Sequence, residues 1–483
     1  MVRFKMPRFS IKFFLYLTGL NVLLVAWNIF LLHPSGDLNT AGNTHNCNPH
    51  PPFLSRPPLA TSTSRRRFED DASLPIPISI FQQQPNKNAS ACNNLNLDLQ
   101  GIRILLLDVH FEGNLGDEME TTPLLQHLFD CGAHITAALS EWRPLTSTQK
   151  VHPRTAREHM LVHKIISREK YYSTFHNDND NHNDFDAVIL APGPWKPCLL
   201  KSQWPHLMID IYFGGSFVAD PSCPSNTNSD SSSNNELLLP PDLLEFTQLI
   251  VTREPASYEW IQKHLYATSS SFKSKKTPKL IMGADLSYSY RPSRAAIDYW
   301  SDHYRSYQDE IQILVFTREN NFNTGVRILG GGGNPRVMLK VQNGSKITVP
   351  LSQVIFASSS DIEDSEHFKW LQSNYRLVEE QERQVVMCTS VEQLFGLLLG
   401  LGPQGHVYTD RYHPGVAAHT LGVPFTTLSY PAEQIKLKGL AELTATKTPR
   451  ELKHLNGKAF AALDHYLATT LQARKKDGTK NYG

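Results

Sequence analysis

The sequence predicts an α/β protein with two Rossmann-like domains whose parallel sheets face a central cleft, preceded by a transmembrane helix and a flexible stem. Three observations carry that expectation. Short apolar strands alternate with helical patterns through residues 100–483, the order that yields parallel sheets covered on both faces. The strands fall into two groups, parted near residues 290–296. One uncharged apolar run, residues 13–32, stands apart near the N-terminus and is long enough to cross a bilayer.

Taken in order, residues 1–12 carry Arg3, Lys5, Arg8 and Lys12, and no Lys or Arg follows the apolar run until Arg56. That asymmetry predicts a cytosolic tail, a signal anchor and a lumenal remainder. A cleaved signal peptide is disfavoured, because the run is longer than a usual signal core and ends in Leu-Leu-His-Pro. Residues 33–99, rich in Pro, Ser, Thr and Asn, read as a stem. The predicted domains are residues 100–292 and 293–483. All six cysteines lie beyond the apolar run, where disulfides are permitted, and their spacing selects no pairing. Asn88-Ala-Ser90 and Asn343-Gly-Ser345 match the N-glycosylation pattern. A balance of 47 basic against 46 acidic residues leaves no electrostatic footprint for nucleic acid. No Cys/His spacing implies a metal.

The first strand, residues 102–109, leads through His-Phe-Glu-Gly-Asn-Leu-Gly into a helix read as starting at Asp117, with Met119, Leu124, Leu125, Leu128 and Phe129 inward. Gly113, Asn114, Gly116 and Asp117 form a strand-end loop where backbone can approach a ligand; Asn114 is a candidate acceptor contact. Asp117 is either an acid/base or the helix N-cap. Further strands are expected at 187–190, 208–213, 247–251 and 280–282, then at 311–316, 354–357, 385–387, 407–409 and 425–428. Helices are expected at 255–264, 367–374 and 391–401. Trp195, after the strand at 187–190, either stacks on a sugar or packs in the core. Arg253 ends a strand before Glu254 and Pro255. The tracts 177–184 and 225–235 read as polar loop inserts, with Asp178-Asn179-Asp180 an accidental match to a metal-binding Asp-x-Asp. Gly330 to Gly333 lacks a phosphate-loop ending and reads as a flexible loop.

Residues 409–430, TDRYHPGVAAHTLGVPFTTLSY, place Arg411 and His413 at a strand-to-helix junction, with Pro414 suited to the first helical turn. Free amides, the helix dipole and a guanidinium fork can converge there on a phosphate or carboxylate.

GNLGDEMETTPLLQHLFDCG (residues 113–132), VTREPASYEWI (251–261) and the TDRYH segment resemble, in order and spacing, the polysaccharide pyruvyl transferase family, over residues 100–440. The resemblance implies transfer of pyruvate from phosphoenolpyruvate, a co-substrate rather than a cofactor, to two hydroxyls of a sugar, here expected to be a terminal galactose of a glycan or polysaccharide. A cyclic ketal forms and phosphate is released. It implies donor binding by Arg411, Tyr412 and His413, which match the family's Arg-x-His motif, and by Arg253, which matches the arginine before a Ser-containing helix (here Ser257). His413 is the first candidate for proton transfer and Asp117 the second. The two-Rossmann arrangement is like that of B-type glycosyltransferases, and the membrane topology together with this class of enzyme gives a single-pass type II Golgi address as the expectation. Two departures stand out: Ala191-Pro-Gly-Pro-Trp195 replaces a glycine-rich strand end, and Thr409 replaces a serine. The alternatives are a nucleotide-sugar glycosyltransferase of the two-Rossmann type and a glycan-binding protein with a dead site.

Overall fold

The computed structural model describes residues 99–109, 114–139, 160–167, 170–171, 185–195, 209–217, 246–269, 277–305, 312–318, 321–322, 324–330, 334–360, 385–402, 404–430 and 434–477. The expected apolar span, the stem up to residue 98, the polar inserts, the Asp-x-Asp match, Gly113, Asn88 and the helix at 367–374 lie outside the described residues, while Leu99, expected at the end of the stem, is buried in the first core. Among those described, no helix is long and apolar enough to cross a membrane.

The first sheet is built from β1 (Arg103–Val109), β2 (His134–Leu139), β3 (Lys164–Ile166), β4 (Ala187–Leu190), β6 (Ile211–Phe217), β7 (Leu249–Thr252) and β8 (Lys279–Met282), with the two-residue β5 (Pro194–Trp195) paired beside β6. Its order is β3-β2-β1-β4-β6-β7-β8 and its pairings are parallel. Strand order reverses between β1 and β4, a doubly wound topology with its switch point there. β1 is apolar on both faces because each face is covered. Ile104 and Leu106 join Leu124, Leu125 and Leu128 of α1 (Leu115–Asp130), while Leu105 and Leu107 join Trp195, Tyr212 and Ile261 of α2 (Pro255–Ser269).

The second sheet repeats the plan with β9 (Ile313–Phe316), β13 (Val354–Ser358), β14 (Val385–Met387), β15 (His406–Thr409) and β16 (Phe425–Thr427), ordered β14-β13-β9-β15-β16 and all parallel. Leu314 and Phe316 face α3 (Arg294–Arg305) and α4 (Val391–Gly400), packing against Trp300, Leu394 and Leu398. Ile313 and Val315 face an antiparallel meander of β10 (Val326–Leu329), β11 (Arg336–Lys340) and β12 (Lys346–Pro350), packing against Val326, Val337 and Leu339. The meander occupies the β9–β13 crossover, where a helix is usual. No strand is expected from the sequence here, where only Gly330 to Gly333 reads as a loop, although Val326/Ile328, Val337/Leu339 and Ile347/Val349 alternate with period two.

Three boundaries are corrected. α1 begins at Leu115 with Asn114 as its N-cap, so Asp117 lies in the first turn and does not cap the helix. α3 forms where a joint between halves was expected. Lastly, after α5 (Tyr412–Leu421) and α6 (Gln434–Thr446), helix α7 (Pro449–Asp477) crosses back to the first sheet. There Ala459, Leu463, Tyr466 and Leu467 share a core with Ile104, Leu128 and Val251. Residues 293–483 are therefore not one self-contained layer, since the apolar stripe of α7 is buried on the other half.

Candidate functional site

Thr409 shapes the junction between β15 and α5. Its Oγ1 accepts from the Arg411 amide and donates to the Arg411 carbonyl, both at 2.8 Å. Arg411 is thereby held extended (φ −96°, ψ 136°) as the N-cap residue, and the helix begins at Tyr412. Pro414, third in the helix, lacks an amide hydrogen where none is needed. A hydroxyl is required of residue 409, which explains why threonine can stand for serine. Asp410 is buried and accepts from Thr317 Oγ1 (2.6 Å), the Arg318 amide (3.1 Å) and Asn321 Nδ2 (2.9 Å). These bonds tie the end of β9 to the end of β15 at the second switch point. Burial raises its carboxyl above the usual range, against the pull of Thr317, Asn321 and Arg411.

The central finding is a buried charge cluster assembled from carboxyl ends of strands in both sheets. Arg253, 3% exposed at the end of β7, pairs through Nη1 with Glu120 of α1 and, at 3.4 Å, with Asp285 beyond β8. Its Nε donates to Ser216 Oγ and lies 3.4 Å from Glu254 Oε2. The guanidinium carbon sits 5.0 Å from the ring centroid of Tyr412. His413 Nε2 lies 3.5 Å from Glu120 Oε2 and 3.7 Å from Asp285 Oδ2, ion-pair rather than hydrogen-bond separations. Glu120 and Asp285 thus each face both Arg253 and His413. Asp285 Oδ1 also accepts from the Ser287 amide (2.9 Å), and Asn456 of α7 holds the Asp285 carbonyl (2.9 Å).

Burial by itself would lower the His413 pKa, but Asp285 and Glu120 outweigh it and raise it to about 9. Burial would likewise raise Asp285, yet His413 and Arg253 hold it well below the usual carboxylate range. At neutral pH His413 is therefore an imidazolium between two carboxylates. Because its pKa is raised on folding, its contribution to stability is complete below its ordinary value near 6.5 and is lost as pH rises through about 9. Denaturant midpoints should accordingly fall between pH 6.5 and 9, and His413→Gln should flatten that limb. An unchanged slope in the variant would place the titration elsewhere.

Of the residues named from sequence, the structure brings Arg253, Tyr412 and His413 together. Gly116 joins them by absence of a side chain: a Cβ there would stand 2.9 Å from His413 Cε1 and closer still to Cγ and Nδ1. Asn114 caps α1, its side chain accepting from the Gly116 amide at 3.0 Å, so that oxygen is committed to the backbone rather than to an acceptor. Asp117 is half-buried on the first turn of α1, and Arg411 is 6% exposed at the N-cap of α5. Trp195 is corrected. It is fully buried against Tyr212 and Phe217, with Nε1 donating to the Ala191 carbonyl, and a ring with no exposed face cannot stack on a sugar. Sequence reasoning missed Glu120 and Asp285. Glu120 lies within the GDEMETT stretch already singled out, and Asp285 follows β8 after Gly283 and Ala284. An acid at a strand end, or on the inward side of a helix, was the available signal.

Glu120, Asp285 and His413 offer ligand atoms within 4.8 Å of one another. A divalent cation would have to displace Arg253 from both carboxylates and deprotonate His413, so the donor set is already neutralised by protein cations. His127, Cys131 and Asp464 are equally close, but Cys131 is disulfide-bonded and its sulfur is not a thiolate ligand.

No known family profile matches the chain, and no curated protein does. Among solved structures, UGT71G1 of Medicago truncatula complexed with UDP-glucose matches at 12% identity and a TM-score of 0.30, over 75% of this chain and 94% of that one. A UGT transferase from Siraitia grosvenorii in complex with UDP matches at 10% identity and a TM-score of 0.34, over 78% and 95%. The E. coli ADP-heptose LPS heptosyltransferase II matches at 12% and 0.29, over 75% and 99%. Overlaps this loose assign neither substrate nor mechanism to the chain.

Proposed function

We propose that the chain transfers pyruvate from phosphoenolpyruvate to two hydroxyls of a sugar residue, closing a cyclic ketal and releasing phosphate. One observation carries this reading. The three segments that resemble the pyruvyl transferase family, far apart in sequence, each contribute to one buried cluster: Glu120 from the first, Arg253 from the second, Tyr412 and His413 from the third.

The chemistry needs a proton donor toward the donor's methylene carbon and cations toward its carboxylate and phosphate. His413, held protonated, supplies the first. Protonation at the methylene makes the neighbouring carbon an electrophile for the first hydroxyl, and attack by the second expels phosphate. One hydroxyl proton replaces the proton lost by His413, and the other leaves with the phosphate. Arg253 and Arg411 bind the anionic groups. Among the described residues Arg253 hydrogen-bonds through Nε and Nη1, leaving Nη2 for a ligand. Glu120 and Asp285 are positioning residues that keep His413 charged. A terminal galactose is the proposed acceptor. Under the same proposal the chain is a single-pass type II Golgi membrane protein with its catalytic part lumenal, and the disulfide at Cys131 supports an oxidising compartment.

The test supplies purified full chain with phosphoenolpyruvate and a panel of galactose-terminated glycans, following phosphate release and the glycan mass. Acceptor-dependent phosphate release with a mass gain of one pyruvate ketal is expected. Silence across the panel, with thermal protection by a nucleotide sugar but not by phosphoenolpyruvate, would overturn the reading in favour of a glycosyltransferase. In the active enzyme Arg411→Lys should lose at least tenfold in kcat/KM, roughly the value of one bidentate contact, because a point charge cannot reproduce the fork. Full turnover in that variant would remove Arg411 from the donor site.

A further inference from the structure

The turn between β11 and β12 carries Asn343, Gly344 and Ser345, all exposed. Asn343 Oδ1 accepts from the Ser345 amide (2.9 Å) and from Ser345 Oγ (2.7 Å). The turn closes on itself through Gly344 N–H to the Val341 carbonyl (2.9 Å) and Val341 N–H to the Ser345 carbonyl (3.0 Å), with Gly344 at φ +86°, a value that favours glycine. Every one of these bonds lies within five residues, so the turn can form before the rest of the fold. Among the described residues no contact engages Asn343 Nδ2. Independently, Cys131 is disulfide-bonded, the mark of a chain that matures in an oxidising compartment.

From the exposed turn, the serine-to-asparagine bond and the disulfide together, we infer that Asn343 is an N-glycosylation site. The serine of the Asn-x-Ser pattern donates its hydroxyl to Asn343 Oδ1, which holds the side-chain amide in place at the exposed tip of the turn. In the reaction, Nδ2 of Asn343 forms a bond to the anomeric carbon of an oligosaccharide carried on a lipid diphosphate. The bond from that carbon to the diphosphate oxygen breaks, the lipid diphosphate leaves, and Nδ2 gives up one proton. The partner is thus a lipid-linked oligosaccharide, and the product carries a glycan at the tip of the meander. This inference rests on the hairpin and the disulfide, and it holds whatever reaction the charge cluster performs.

The test is made on the full chain produced in a eukaryotic secretory host. Peptide N-glycosidase digestion in heavy-oxygen water, read by peptide mass spectrometry, should convert Asn343 to aspartate bearing heavy oxygen. A parallel incubation without the glycosidase accounts for spontaneous deamidation of the Asn-Gly pair. Asn343→Gln and Ser345→Ala should each remove one glycan's shift on electrophoresis, leaving any glycan at Asn88 in place, while Ser345→Thr should retain the shift. A wild-type peptide at its unmodified mass, or one showing only the deamidation seen without glycosidase, would overturn the assignment.

Discussion

Arg253→Met should unfold the protein more readily than any other single change at the site, costing about 3–5 kcal/mol. The methionine fills most of the arginine's volume, so the loss is electrostatic. Glu120 (3% exposed) and Asp285 (0% exposed) would be left buried with only His413 to oppose them, and Ser216 and Tyr412 would lose their cationic partner. A buried carboxylate without its cation either stays charged at high cost or takes up a proton. The second outcome predicts a partial rescue at low pH, so the deficit of the variant relative to wild type should shrink as pH falls from 7 toward 4. Urea midpoints across that range are the measurement. A deficit under 1 kcal/mol at pH 7, or one independent of pH, would show that Arg253 is not what balances the two acids. The double variant Arg253→Met with Glu120→Gln should recover part of the loss, because residues sharing one ion-pair network do not contribute additively.

Gly116→Ala should separate catalysis from folding. The added methyl would occupy the space of the His413 ring, and because His413 is 15% exposed, the ring can swing toward solvent rather than force the helix apart. A cost of about 1–3 kcal/mol in stability is expected from overpacking, with the protein still folded at room temperature. Loss of the proposed pyruvyl transfer should be much larger, about a hundredfold or more in kcat, since a misplacement near 1 Å of a reacting group has that effect. The pH dependence of stability should also change. A ring moved away from Glu120 and Asp285 returns toward its ordinary pKa, and the decline between pH 6.5 and 9 should flatten. Wild-type activity in Gly116→Ala would mean that the ring position seen here is not the working one.

Much of the architecture could be read from the chain because parallel strands buried on both faces announce themselves. The runs at Leu105–Leu107, Val188–Leu190 and Leu249–Val251 have no polar face to present. The meander at 326–350 was missed for the opposite reason: its strands are short, half polar and joined by glycine-containing connections, so their alternation is weak against a loop background. The helix at 449–477 is not among those expected from the sequence, and its destination lies further still from any local signal. Nothing local tells the helix of Leu463 and Tyr466 to pack against β7 and β8 rather than against the neighbouring second sheet.

The same division holds at the site. The amino-acid sequence by itself determined the α/β class, the strand ends that carry Arg253 and the Arg411–His413 turn, and the small residue at 116, because each depends on local pattern and spacing. Only the tertiary structure decided that Trp195 belongs to the core, that Glu120 and Asp285 are partners of Arg253, and that His413 is charged at neutral pH. Protonation and burial are set by groups that arrive from afar, with Glu120 lying 133 positions from Arg253 along the chain. An ionisable side chain has no fixed charge until its neighbours and its distance from water are known.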